Sequence, residues 1–338
     1  MRAQTRLLIT GGTGFFGLAL LRYLKAQFAS GGEIPLVTSL SRDPAGFTRR
    51  HSEFFGLPWL RFSQGDICDP GSLPRGVAFT HIIHAAADST RGPQLSPLQR
   101  FDQIVNGTRN VLDLAIECKA ERFLLTSSGA VYGVQPADMD YMPEDWMGMP
   151  DPLNPNSAYG VAKRSAEHLC ALYGDAFGLE TVIARCFAFV GPDLPLDAHF
   201  AVGNFIRDAL WNERITVTGD GTAERSYLDQ RDLAHWLHEL LFRGRPAQAY
   251  NVGSDVGISI GELAHLVRDI LAPSKPVSVR DGAIRCEQRN RYVPNVEKIR
   301  NDLDLQQSIS IEQSIIKAAN ALSIAISTTF MPPESTTH

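Results

Sequence analysis

The sequence predicts an α/β fold, a doubly wound parallel sheet carrying a smaller C-terminal substrate-binding lobe. Short apolar runs alternate with amphipathic segments through the first half, a glycine-spaced loop follows the first run, and the regular alternation loosens beyond residue 188. Strands are expected at 7–10, 34–41, 60–64, 81–86 and 122–128, with helices at 17–28 and 98–118. The strands read as continuous apolar runs rather than alternating ones, which suits a parallel sheet covered on both faces. Residues 142–155, MPEDWMGMPDPLNP, hold too many prolines for a helix or central strand and read as a surface loop. A helix at 158–173 and a strand at 180–187 follow, then shorter elements around 191–197, 215–227 and 273–292.

Composition narrows the class. The 338 residues are 44% hydrophobic and 20% charged, ordinary for a packed globular protein with a sizeable core. A formal net charge of -5 argues against a general nucleic-acid partner. Cys68, Cys118, Cys170, Cys186 and Cys286 form no CxxC pair and no zinc-like spacing, so no metal is expected and the thiols read as reduced. Cys186, in an apolar stretch, reads as a buried structural thiol. No apolar run has the length of a membrane span or a signal-peptide core, so a cytoplasmic protein with no membrane contact is expected.

Thr10-Gly-Gly-Thr-Gly-Phe-Phe-Gly17 lies between the first strand and the first helix. Gly11, Gly14 and Gly17 allow a tight turn and a close approach of backbone amides to a pyrophosphate, with the helix N-terminus favouring the negative charge. Phe15 and Phe16 belong to the same loop. The context, strand before and helix after, makes this a Rossmann-like dinucleotide site. Residues 1–178 then form the dinucleotide-binding domain with a catalytic helix, to which strand 180–187 and part of 226–252 return. Residues 189–225 and 253–322 form the substrate lobe, and 323–338 a polar tail expected to be disordered.

The end of the second strand discriminates between cofactors. An acid there favours NAD, a base NADP. Ser41 stands where the acid would be and Arg42 follows, which leans to NADP, although Arg42 also fits a solvated loop and Asp43 is one step away. Asp66, with Ile67, ends the third strand, as an acceptor for the adenine amine or as a turn cap before Pro70. Ala85, Ala86 and Ala87 close the fourth strand with side chains small enough to pass a cofactor, while His84 reads as a packed histidine.

Ser157-Ala-Tyr159-Gly-Val-Ala-Lys163 puts a phenol and an ammonium four residues apart, on one helix face. A phenol titrates near pH ~10. A neighbouring ammonium and a positive nicotinamide are expected to lower that value, so that Tyr159 passes a proton while a hydride moves. Ser128 ends the preceding strand and is placed to bind the reacting oxygen. Asn106, on the long helix, reads either as a buried polar support or as ordinary helix chemistry.

In this order, glycine loop, serine-ended strand, then YxxxK, the chain resembles the extended short-chain dehydrogenase/reductase family, in its sugar-nucleotide epimerase/dehydratase/reductase branch. The resemblance covers about residues 6–305. It implies an oxidoreductase of carbohydrate biosynthesis, with the catalytic trio on Ser128, Tyr159 and Lys163, NADP or NAD as cofactor, and a nucleotide-sugar substrate. Asn204 and Arg225 match positions that hold the substrate diphosphate, and Arg289 or Arg291 offers a second contact. A surface salt bridge is the alternative for each arginine, least so for Arg225. Members that dehydrate at C4 and C6 carry an Asp-Glu pair where this chain has Gly129 and Ala130, which speaks against dehydration. At Ala188 the family often carries an asparagine that contacts substrate. The expectation is hydride transfer at C4, leaning to a 4-keto-6-deoxy sugar-nucleotide reductase. The alternatives are a 4-epimerase with retained NAD and, remotely, a non-catalytic dinucleotide-sensing protein. The resemblance also implies a homodimer built on the helices at 98–118 and 158–173.

Overall fold

A computed structural model describes residues 4–87, 95–194, 200–279 and 290–329, with side chains through 322. The first strands are β1 (Arg6–Thr10), β2 (Leu36–Ser41), β3 (Leu60–Gln64), β4 (His81–His84), β5 (Arg122–Ser128) and β6 (Glu180–Cys186). Between them run α1 (Phe15–Ala29), α2 (Pro44–Arg50), α3 (Pro97–Cys118) and α4 (Ala158–Phe177). Beyond them come β7 (Ala188–Val190), α5 (Ala201–Trp211), β8 (Ile215–Val217), β9 (Glu224–Asp229), α6 (Gln230–Arg243) and β10 (Gln248–Val252). The central sheet has seven parallel strands in the order β3-β2-β1-β4-β5-β6-β10. Its order reverses between β1 and β4, where the loops leaving the carboxyl ends diverge and open a crevice.

Side chains alternate across that sheet even where the run is uniformly apolar. Leu7, Ile9, Leu124 and Val182 face α1 and α6, packing with Leu21, Trp236 and Leu240. Leu8, Ile82, Phe123 and Leu125 face the other way, onto Val111 and Leu114 of α3 and Ala162 and Ala166 of α4. Burying each such Leu or Ile contributes about 1.5–3 kcal/mol, so both faces hold the sheet. At the start of α3, the Ser96 hydroxyl accepts from Gln99 N while Gln99 accepts from Ser96 N, a reciprocal cap with Pro97 in the first turn.

The smaller lobe adds β11 (Gly257–Ser259), α7 (Ile260–Leu271), β12 (Val277–Val279) and β13 (Arg291–Tyr292). β9 pairs with β7, β11 and β13, and β8 pairs with β12. Its core joins Ile206, Ile215, Val217, Leu263, Val267 and Ile315.

Several details differ from the sequence reading. The strand expected through 187 stops at Cys186; Phe187 N still donates to Val252 O, the last bond of the ladder with β10, and β7 begins at Ala188. α2 was not anticipated; Asp43 caps it and Pro44 starts it. Met142, in the proline-rich loop, is buried with Val131 and Tyr132 and its N–H reaches Val293 O. α8 (Glu297–Leu303) packs Ile299 and Leu303 beside α6, not in the lobe core. α9 (Ile311–Thr329) enters the stretch read as tail, since Ile315, Ala318 and Ala319 bury one face of it against the lobe.

Candidate active site

One cavity of about 940 Å³ runs along the carboxyl edge of the sheet, between the sheet and the lobe. The glycine loop forms one end. Gly11 has φ +68°, and a Cβ there would meet Ala86 Cα at 2.7 Å. Gly17 lies inside α1, where a Cβ would stand 2.3 Å from Gly12 Cα; it lets the helix close on the loop and does not itself line the cavity. Gly14 caps α1 without a side-chain hydrogen bond, so the first amides of that helix are left for a ligand. Gly11, Gly14, Phe15 and Phe16 all line the cavity. A backbone cradle that a Cβ would fill, ending at an uncapped helix N-terminus, fits a pyrophosphate.

The second-strand edge follows. Ser41, Arg42 and Asp43 line the cavity, joined by Arg50 from the end of α2, which the sequence reading missed. The Ser41 hydroxyl is 2.7 Å from that of Thr13. Asp43 accepts from Gly46 N at 2.8 Å, so its carboxylate is engaged in capping α2. Asp66 and Ile67 line the wall beyond; Asp66 also accepts from Cys68 N at 2.9 Å, so the turn-capping role and the lining role coexist. Asn106 is exposed and does not line this cavity, so of its two readings the buried support is excluded and ordinary helix chemistry stands. Gln103 and Arg100 line the cavity from α3, whereas 106 lies opposite the buried face of that helix, which carries Ile104, Thr108, Val111 and Ala115.

At the centre, Ala85, Ala86 and Ala87 face Ser128, Tyr159 and Lys163. Lys163 Nζ donates to Thr126 O at 2.8 Å, and burial brings its pKa down to about 8. Loss of solvent pushes the Tyr159 phenol up; a hydrogen bond with Ser128 opposes this, as does the Arg100 cation more weakly. The lowering expected from Lys163 is therefore absent from the protein alone, and Ser128 is the principal group favouring the phenolate. His84 is packed as expected, its ring 2.7 Å from Thr10 Oγ1 and 3.2 Å from Thr108 Oγ1. Burial, then the Lys163 cation, depress it to about 3, so it stays neutral. Behind β5, Ser127 donates to Glu167 at 2.5 Å, and Arg185 grips that carboxylate, Nη2 at 2.8 Å, while donating to Tyr132. This buried network fixes the strand end that carries Ser128.

Toward the lobe, Arg225 lines the cavity, with Nη1 bonded to Glu224 O and Asn290 O. Asn204 and Arg291 do not line it. Asn204 turns to accept from Arg207 at 3.1 Å, and Arg291 pairs with Glu224 at 2.9 Å as a structural ion pair. Arg289 lies outside the described residues. Tyr292, which the sequence reading passed over, does line the cavity. Among the described residues no cluster suits a metal ion, and no helix is long and apolar enough to cross a membrane.

The chain is similar to known proteins in sequence and in fold. Residues 7–253 match the NAD dependent epimerase/dehydratase family. UDP-glucuronic acid decarboxylase 1 of Arabidopsis thaliana is 28% identical over 318 residues, 93% of this chain and 69% of the relative. DesIV, a dTDP-glucose 4,6-dehydratase from Streptomyces venezuelae solved with NAD and TYD bound, is 26% identical with a TM-score of 0.82, over 96% of this chain and 98% of that one. RMD from Pseudomonas aeruginosa, complexed with NADPH, is 26% identical with a TM-score of 0.76, over 95% and 100% of the two chains.

Proposed function

The chain belongs to the NAD dependent epimerase/dehydratase family, and from that premise we propose that it reduces a 4-keto sugar nucleotide with NADPH. The observation that carries this is the convergence of Ser128, Tyr159 and Lys163 on one cavity running from the glycine loop to Arg225. The cofactor, when bound, supplies the hydride. Tyr159 then gives its proton to the alkoxide left at C4, Ser128 holds that oxygen, and Lys163 binds the nicotinamide ribose. Arg225 takes the substrate diphosphate by charge-assisted hydrogen bonds. Arg42 and Arg50 supply the positive edge that suits the NADP phosphate, while Asp43 is occupied at its helix cap. Gly129 and Ala130 provide no carboxylate beside Ser128 for an elimination.

The test is direct. Purified protein should oxidise NADPH when given a 4-keto-6-deoxy sugar nucleotide. Turnover of a UDP- or GDP-hexose without added cofactor and without net NADPH loss would sink that reading in favour of a 4-epimerase retaining NAD.

A second reading rests on the likeness to UDP-glucuronic acid decarboxylase over 93% of this chain. Hydride removal at C4 places a C6 carboxylate β to a ketone, where it leaves readily as carbon dioxide. Release of carbon dioxide from UDP-glucuronic acid would select this reading over both others.

A further inference from the structure

We propose that Phe187, packed against Tyr292, is the residue that sets specificity at C6 of the sugar. The two rings form an apolar wall that selects a 6-deoxy sugar nucleotide, which deepens the reading above and rests on it. A Cβ built on Gly129 would stand 2.6 Å from Tyr292 Oη and 2.7 Å from Phe187 Cζ. Both rings line the cavity, and Gly129 behind them does not. Their centroids are 4.5 Å apart. Tyr292 turns its hydroxyl onto Gly129, so the pair presents mainly ring carbon to a ligand.

Phe187 is fixed from several sides. Its N–H donates to Val252 O at 3.0 Å, and its ring packs with Val131, Tyr132 and Met142. A Cβ at Gly253 would lie 3.1 Å from Phe187 Cβ, so the backbone there closes behind it. Tyr292 of β13 is paired with Arg225 of β9, whose Cζ lies 5.9 Å from the Tyr292 ring centroid. The wall and the arginine read as the diphosphate contact therefore share one scaffold.

Sugar chemistry decides which substituent meets the wall. Ser128, the residue before Gly129, holds the oxygen on C4. The carbons flanking C4 are C3, which bears a hydroxyl, and C5, which bears C6. A hydroxyl set against ring carbon gives up its hydrogen bonds to water and gains none in return. C6 is the one neighbour that can be a methyl, and a methyl gains from the same contact. A C6 carboxylate would lose most, because a charge removed from water needs a partner. Gly129 and Ala130 offer it no side-chain donor.

The experiment is calorimetric titration of the full chain, with NADP present, using three sugar nucleotides that differ only at C6. These are UDP-6-deoxyglucose, UDP-glucose and UDP-glucuronic acid, with the matched dTDP-glucose and GDP-mannose sets run alongside. On the nucleotide that binds best, the methyl form should bind about 10–100-fold more tightly than the hydroxymethyl form, and the carboxylate form more weakly than either. Phe187→Asn removes the ring and supplies an amide, so the preference should vanish while the Kd of the free nucleoside diphosphate stays unchanged. Should Phe187→Asn fold poorly, Phe187→Leu keeps the site apolar but loosens it, and the preference should shrink about tenfold. Equal affinities in the wild type, a preference for the carboxylate, or a preference that survives loss of the ring overturns the proposal. If no sugar nucleotide binds, the functional reading fails and the proposal with it. A methyl preference in a protein that does not oxidise NADPH overturns the reductase alone and leaves the wall standing.

Discussion

Tyr159 carries the sharpest consequence at the scale of single residues. Tyr159→Phe should lower kcat by about 10²–10⁴ while NADPH still binds, as read by fluorescence titration. Unchanged behaviour would favour a dinucleotide-sensing protein. Arg50 lines the cavity beside Arg42, so Arg50→Ala should weaken NADPH binding about tenfold and leave NADH binding unaltered. His84 yields a pH effect. Its folded pKa of about 3 lies below the unfolded value of 6.5, so the unfolded chain binds more protons between them. Its share of stability is whole above pH 6.5 and lost as pH falls toward 3. Urea midpoints of wild type should therefore fall more steeply than those of His84→Gln from pH 7 to pH 5. Equal slopes would refute the buried neutral ring.

At the scale of elements, α1 and its loop act as one unit. Gly17→Ala places a methyl where only 2.3 Å separates it from Gly12 Cα. Alanine is the better helix former, yet the overlap should dominate, costing about 1–3 kcal/mol in denaturant melts and weakening cofactor binding. The YxxxK pair and the serine-ended strand were legible in the sequence because each is local: spacing along one helix decides which side chains share a face. Asn106 shows the limit. The helix was legible, but its rotation about its own axis was set by Val111, Leu112 and Ala115 packing on the sheet, and that rotation presents Gln103 instead. Arg291 shows the same limit, since its partner Glu224 lies on a strand whose pairing the sequence pattern does not reveal.

At the scale of the whole molecule, α4 exposes Leu172 at 50% and, at its C-terminal end, Phe177 at 59%, on one of the two helices expected to pair copies. Wild type should sediment as a dimer and Phe177→Glu as a monomer; a monomeric wild type would remove that expectation. The division into sheet and lobe follows from hydrophobic patterning, and so does the crevice at the strand reversal. Determined by the sequence alone were the doubly wound fold, the glycine loop, Ser128 and the Tyr159–Lys163 pair. These depend on spacings of a few residues, which the backbone turns directly into geometry. Decided only in three dimensions were Arg50, Arg100, Gln103 and Tyr292, together with the burial that raises the Tyr159 phenol in the protein alone. Each depends on which distant surface a side chain meets and on how much water that meeting removes, and no spacing along the chain encodes either.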